Sequence, residues 1–195
     1  MSPISNSHNE NSRYTGVAIF LHWTIAAMIV ALLCMGFTML HIAVAPATKT
    51  LLFTLHKSIG ITVLAAAAFR LIWRLGHRPP PLENMSRLER QGALAVHWLF
   101  YVLMFGMPLT GWAVVSASAF NVPTMLYGLV LLPKLPTPSN HDAKAMLHWL
   151  LEEVHGYGAY LLIAILILHV AAALRHHIIR RDHVFIRMLP YRLSR

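Results

Sequence analysis

Four stretches of the chain are apolar on every helical face and long enough to cross a bilayer: roughly residues 16–40, 50–75, 92–117 and 146–175. Polar residues collect between these stretches and at the two ends. The first span follows about fifteen polar residues, with no basic segment before it and no small-residue cleavage site after it, so it reads as a retained span and not a signal peptide. The connection GHRPPPLENMSRLERQ, with three consecutive prolines, predicts an extended loop. Residues 118–140 hold Pro123, Pro133, Pro136 and Pro138 around the apolar stretch MLYGLVLL, which is too short to span and predicts a short interfacial helix or cap. Pro108 predicts a kink in the third span. The pattern predicts an all-α, up-down four-helix bundle integral to a membrane. The bundle occupies residues 16–179, between a polar tail at 1–15 and a basic tail at 180–195.

The polar positions inside the spans recur at fourteen residues: His22 to Gly36, His56 to Arg70, His97 to Gly111, and His155 to His169. Fourteen residues of α-helix bring two side chains back to nearly the same direction, about 21 Å apart along the axis. Each span therefore marks two depths. Spans one and three run opposite to spans two and four, so His22 shares a depth with His169 and His56 shares the other with His155. His97 is a fifth histidine and a rival to His22 at the first depth; its alternative role is a hydrogen bond to a neighbouring helix or to a haem propionate. His148 lies on the face of His155, but twenty-one residues, about 31 Å, separate it from His169, which puts it among the headgroups.

A neutral imidazole nitrogen is a good iron ligand, and two from facing helices saturate both axial positions of a haem that transfers electrons. The paired depths predict two noncovalent haems, one held by His22 and His169, the other by His56 and His155. Cys34 is the only cysteine, which excludes an internal disulfide and a C-x-x-C-H attachment, and it reads as packing. Intramembrane histidines also serve as helix–helix hydrogen-bond partners, or as zinc or copper ligands in a transporter. Against the transporter, the pairs lack acidic partners within the spans, since Glu152 and Glu153 lie at the outer edge. Arg70 and Arg74 read either as partners of haem propionates or a quinone carbonyl, or as anchors reaching the headgroups. His176 and His177 could shuttle protons to a quinone, or simply form a solvated helix end.

The composition agrees: 57% of the 195 residues are hydrophobic and 12% charged, with a mean hydropathy of +0.57, far from a soluble mixture. A net charge of +9 raises nucleic-acid binding as a function, but the charge is sorted by membrane side. All twelve arginines fall on the side of the termini, and only Lys49, Lys57, Lys134 and Lys144 on the other. The positive-inside rule then puts both termini in the cytoplasm, with membrane lipid as partner and no nucleic acid. Tyr14 and Trp23 suit the cytoplasmic interface.

The segments FLHW, LHKSIG, RLIWR, VHGYGAYLLIAILILHVAAALRHH and DHVFIRMLP resemble the bacterial cytochrome b561 family of four-helix, di-haem membrane proteins. The resemblance runs over nearly the whole chain. It implies residence in the bacterial inner membrane and ligation of two b haems by the counterparts of His22 with His169 and His56 with His155. It also implies electron exchange between the quinone pool and a one-electron partner on the periplasmic side. The enzymatic version of that exchange is oxidation of superoxide with reduction of ubiquinone, or oxidation of a quinol; the carrier version delivers electrons to a periplasmic redox protein. A haem-bearing anchor subunit of a larger respiratory complex is a further version. The four outer lysines would attract a small anion such as superoxide, with Asp142, Glu152 and Glu153 acting against them.

Overall fold

The computed structural model describes residues 13–77, 80, 85–120 and 123–190. The expectations for most of the N-terminal tail, including His8, for much of the proline-rich connection and for the last five residues lie outside them. Four long helices dominate: α1 (Gly16–His41), α2 (Pro46–Gly76), α3 (Arg87–Ala117) and α4 (His141–Leu174). All four are long and apolar enough to cross a membrane. Large apolar side chains such as Phe20, Phe37, Ile72, Val102 and Ile167 face outward along their lengths, as a bundle solvated by lipid requires.

Local signals fix where each helix starts. The Thr15 hydroxyl accepts from the Ala18 N–H at 3.3 Å to open α1, Pro46 occupies the first turn of α2, and the Asn140 side chain accepts from Ala143 N–H at 3.0 Å to open α4. In α3 the Ser86 hydroxyl accepts from Glu89 N–H at 3.3 Å while the Glu89 carboxylate accepts from Ser86 N–H at 3.0 Å, a reciprocal capping box. The third helix therefore begins at Arg87 and not near residue 92. The expected extended connection is shorter, because two orphan donors are satisfied by Ser86 and Glu89.

Close packing runs from α1 to α2, α2 to α3 and α3 to α4; α1 and α4 do not form a comparably packed pair. The core consists of Ile25, Ile29, Val63, Ala67, Tyr101, Leu103, Met104, Leu162 and Ile165. On each helix these residues lie between the two members of the fourteen-residue pair. The apolar core thus forms a layer separating two levels of polar side chains.

Residues between α3 and α4 form not the short helix but the cap, as a two-stranded antiparallel hairpin, β1 (Thr124–Leu126) and β2 (Val130–Leu132). Tyr127 (φ 50°) and Gly128 (φ 75°) are both left-handed, as tight hairpin turns require, and Leu129 N–H closes the turn on Leu126 C=O at 2.8 Å. The hairpin caps its end of the bundle through backbone bonds. Tyr127 N–H donates to the Ser58 hydroxyl at 2.9 Å, and Leu135 N–H to the Ser116 hydroxyl at 3.0 Å. The Tyr127 and Thr62 hydroxyls meet at 2.7 Å.

At the opposite end α4 continues as a π-helical turn, Arg175–Arg180, and the chain reverses at Arg181 in the left-handed region. The following segment is no free tail. It folds back through a 3-10 turn, Ile186–Met188, so that Trp23 Nε1–H donates to Met188 C=O at 2.8 Å and the Arg13 guanidinium donates to Leu189 C=O. Arg175 and Arg180 reach Glu89 at 3.1 and 3.2 Å, tying the end of α4 to the start of α3.

Candidate functional site

The fourteen-residue pairs meet at two levels, and every long helix contributes one residue to each. At the hairpin end stand Gly36, His56, Gly111 and His155; at the end carrying the termini stand His22, Arg70, His97 and His169.

At the hairpin end the His56 and His155 rings face each other with centres 6.3 Å apart. Gly36 and Gly111 flank them: a Cβ at Gly36 would lie 3.7 Å from His56 Cε1, and one at Gly111 only 3.1 Å from His155 Cε1. His155 Nδ1 lies 3.0 Å from the Thr110 hydroxyl, which itself donates to Met107 C=O at 2.9 Å. Nδ1 of His56 is buried and makes no hydrogen bond of ordinary geometry among the described residues; the backbone partner this ring faces is Leu32.

At the other end the His22 and His169 rings are 6.1 Å apart. His97 is the third imidazole here, 5.7 Å from His169 and nearly perpendicular to it. Its Nδ1–H donates to Ala93 C=O one turn back, at 2.5 Å. Arg70 donates to Ala18 C=O at 3.1 Å and holds its other terminal nitrogen 3.5 Å from His22 Nδ1. Arg74 does not reach out to solvent: its guanidinium lies over Trp98 and Tyr101, 5.9 and 5.7 Å from the ring centres.

A pocket of about 60 Å³ opens beside this level, lined among others by Arg13, Tyr14, Arg70, Trp73, Arg74 and Tyr101. Burial holds the Tyr14 phenol above its ordinary value of 10, against the opposing pull of Arg74 and Arg70. Below His169, His176 is buried at 7% exposure, and its Nδ1–H donates to the Asp182 carboxylate at 2.5 Å. His177 packs on Phe185 instead. His148 pairs with Glu152 at 3.5 Å at the start of α4 and joins neither level.

Two imidazoles on opposite sides of one metal need a definite spacing. A metal–nitrogen distance of about 2.0–2.1 Å, with roughly 1.1 Å from nitrogen to ring centre, puts the ring centres about 6.3 Å apart. The pairs at 6.3 and 6.1 Å fit that requirement. Among the described residues no group of three or more His, Cys, Asp or Glu side chains is placed to hold a metal ion directly. A porphyrin needs no such group, because it supplies four of the six iron ligands itself and asks the protein for two. The residues present therefore fit haem. At the hairpin end glycines also stand beside the histidines, and an apolar layer lies between the levels.

Sequence reasoning missed Thr110, which becomes a site residue only through a contact across helices, and the pairing of His176 with Asp182, which depends on the reversal at Arg181.

The family model for prokaryotic cytochrome b561 matches residues 13–191. Among similar proteins, cytochrome b561 homolog 2 of Escherichia coli (strain K12) is 28% identical over 182 residues, covering 93% of each chain. The probable superoxide oxidase CybB of Yersinia pestis is 24% identical over 186 residues, covering 92% of this chain and 97% of that protein. Cytochrome b561 homolog 1 of Escherichia coli (strain K12) is 28% identical over 190 residues, covering 93% and 99%.

Proposed function

Because the chain belongs to the prokaryotic cytochrome b561 family of haem b membrane electron carriers, we propose that it carries electrons between two haem b sites, one per level. His56 and His155 hold the group at the hairpin end; His22 and His169 hold the other. The observation that carries this reading is the spacing of the two imidazole pairs, 6.3 and 6.1 Å between ring centres, at levels separated by fourteen helical residues on α4. Bound there, haem supplies reversible one-electron chemistry, and its potential follows axial ligation, hydrogen bonding and burial.

The side chains do the rest. The layer from Ile25 to Ile165 excludes water and ions between the levels. Arg70, and Arg74 next to it, present cations at the pocket beside His22 and His169, suited to haem propionates or a quinone carbonyl. His97 orients the same level. His176, held by Asp182, stands at the exit of α4 and offers a proton route for a quinone, whose reduction consumes two protons. The arginine side of the bundle faces the cytoplasm by the positive-inside rule, which puts the hairpin end toward the periplasm of a bacterial inner membrane.

The reaction that suits this arrangement is oxidation of superoxide at the hairpin end with reduction of ubiquinone at the other. Two superoxide anions each give up one electron and leave as oxygen; one quinone takes both electrons and two protons and leaves as quinol. The similarity to a probable superoxide oxidase supports this substrate. The test uses the purified, haem-loaded protein in detergent. Superoxide should reduce its haem, and ubiquinone should reoxidise it. Reduction by superoxide that ubiquinone does not reverse, or reoxidation of quinol-reduced haem by a soluble redox protein alone, would contradict the assignment.

A further inference from the structure

The hydrogen-bond partners of the two imidazole pairs differ, and the difference has a chemical sense. On the hairpin side, the Thr110 hydroxyl spends its hydrogen on Met107 C=O at 2.9 Å, one turn back on its own helix. Its lone pairs are then what His155 Nδ1 meets at 3.0 Å, alongside the Met107 backbone, which also bonds this ring, so the proton belongs to His155 and Thr110 is one of its two acceptors. That fixes the ring as the Nδ1–H tautomer and leaves the Nε2 lone pair free for a metal. Gly111, the next residue, lies against the same ring. Consecutive positions of α3 thus set both the orientation and the proton of one imidazole.

An acceptor on the far nitrogen makes an imidazole a stronger electron donor, which favours the oxidised state of a metal bound to it. The other level has the reverse surroundings: the Arg70 cation stands 3.5 Å from His22 Nδ1, which favours the reduced, less positive state. We infer that Thr110 is a positioning residue for the hairpin-end haem, fixing the His155 tautomer through its hydroxyl and holding that site at a lower potential than it would otherwise have. This rests on the assignment of His56 and His155 as a ligand pair. The hairpin-end site is thereby the better donor of the two, and an electron placed there moves downhill toward the level of His22 and His169.

The test is a redox titration of the full haem-loaded chain, repeated in a His22→Ala background where the hairpin-end haem is alone. Thr110→Val keeps the shape and removes the acceptor; Thr110→Ser keeps the acceptor. In Thr110→Val the reduced-to-oxidised ratio of the hairpin-end haem at fixed potential should rise by up to about tenfold, which is 59 mV for one electron. Thr110→Ser should restore the original value, and the other haem should not move. Loss of the hairpin-end haem in Thr110→Val but not in Thr110→Ser also supports the role, since Val keeps the shape of Thr and lacks the acceptor while Ser loses the methyl group and keeps the acceptor. An unshifted potential in Thr110→Val, or equal loss of haem in both variants, overturns it. His155→Ala separates the premise from the inference: if that variant keeps both haems, the ligand assignment itself is wrong.

Discussion

Gly111→Ala is a one-carbon perturbation whose consequence can be worked out from the hairpin-end geometry. The added Cβ would sit 3.1 Å from His155 Cε1 and 3.5 Å from Nδ1, tighter than the ordinary contact between such atoms at about 3.5–4.0 Å. The ring must retreat by a few tenths of an ångström. It is held on one side by Thr110 at 3.0 Å, and a hydrogen bond stretched beyond about 3.2 Å weakens steeply. Overpacking of this kind costs about 1–3 kcal/mol, against which alanine returns up to about 1 kcal/mol of helix propensity. The net falls on the ligand: about 1.4 kcal/mol, or a tenfold loss of affinity for the hairpin-end haem, with the other haem unaffected. Gly106→Ala on the same helix is the control, since a Cβ there meets nothing within 4 Å. The assay is haem retention during dilution into apomyoglobin, followed by the Soret band and resolved by redox titration. If Gly111→Ala retains both haems as tightly as Gly106→Ala, with unchanged potentials, the placement of the macrocycle against His155 and Gly111 is wrong.

Other perturbations read other parts of the structure. Arg70→Gln removes the cation 3.5 Å from His22 Nδ1 and should lower the potential of the haem at that level by roughly threefold in the reduced-to-oxidised ratio, about half of the 59 mV that a decade represents; spectroelectrochemistry reads it. Ser86→Ala removes the hydroxyl cap of α3 and should cost about 1 kcal/mol, seen as a lower thermal midpoint in detergent with both haems still bound. Tyr127→Phe loses the 2.7 Å contact with Thr62, worth about 1 kcal/mol, and should speed protease cleavage within residues 118–140 without changing haem content. Burial keeps the Tyr14 phenol protonated beyond its usual 10; the folded state then binds more protons than the unfolded state above that pH, so stability is present below pH 10 and declines as the pH rises through the folded value. A Tyr14→Phe variant should lack that late step in an ultraviolet titration.

The two-level arrangement could be read from the chain because a fixed helical period and an alternating direction suffice to assign depth. Spacing and direction put His22, His56, His155 and His169 at two shared depths, with His97 left as a rival of His22, and in the structure the rings face each other as His22 with His169 and His56 with His155. Arg70 and His97 share the level of His22 for the same reason. Features that depend on contact between distant residues left no such trace. Thr110 is an ordinary polar residue until α4 brings His155 against it. The turn at Tyr127 and Gly128 lacks the Asn-Gly or Asp-Gly pair that usually marks a hairpin, so the run MLYGLVLL read as a helix or cap. The start of α3 did carry a signal, Ser86 three residues before Glu89, but the nearby prolines outweighed it. His176 meets Asp182 only because Arg181 takes a left-handed conformation, which favours glycine and asparagine and is not foreseeable at an arginine.

The account stands on two haems bound by four named imidazoles. Pyridine-haemochrome quantitation per chain, on the unaltered protein and on His22→Ala and His56→Ala, tests it most directly. Two haem b per chain, falling to about one in each variant with the opposite site spectrally intact, is the expected result; a single haem in the unaltered protein, or two retained in either variant, would contradict it.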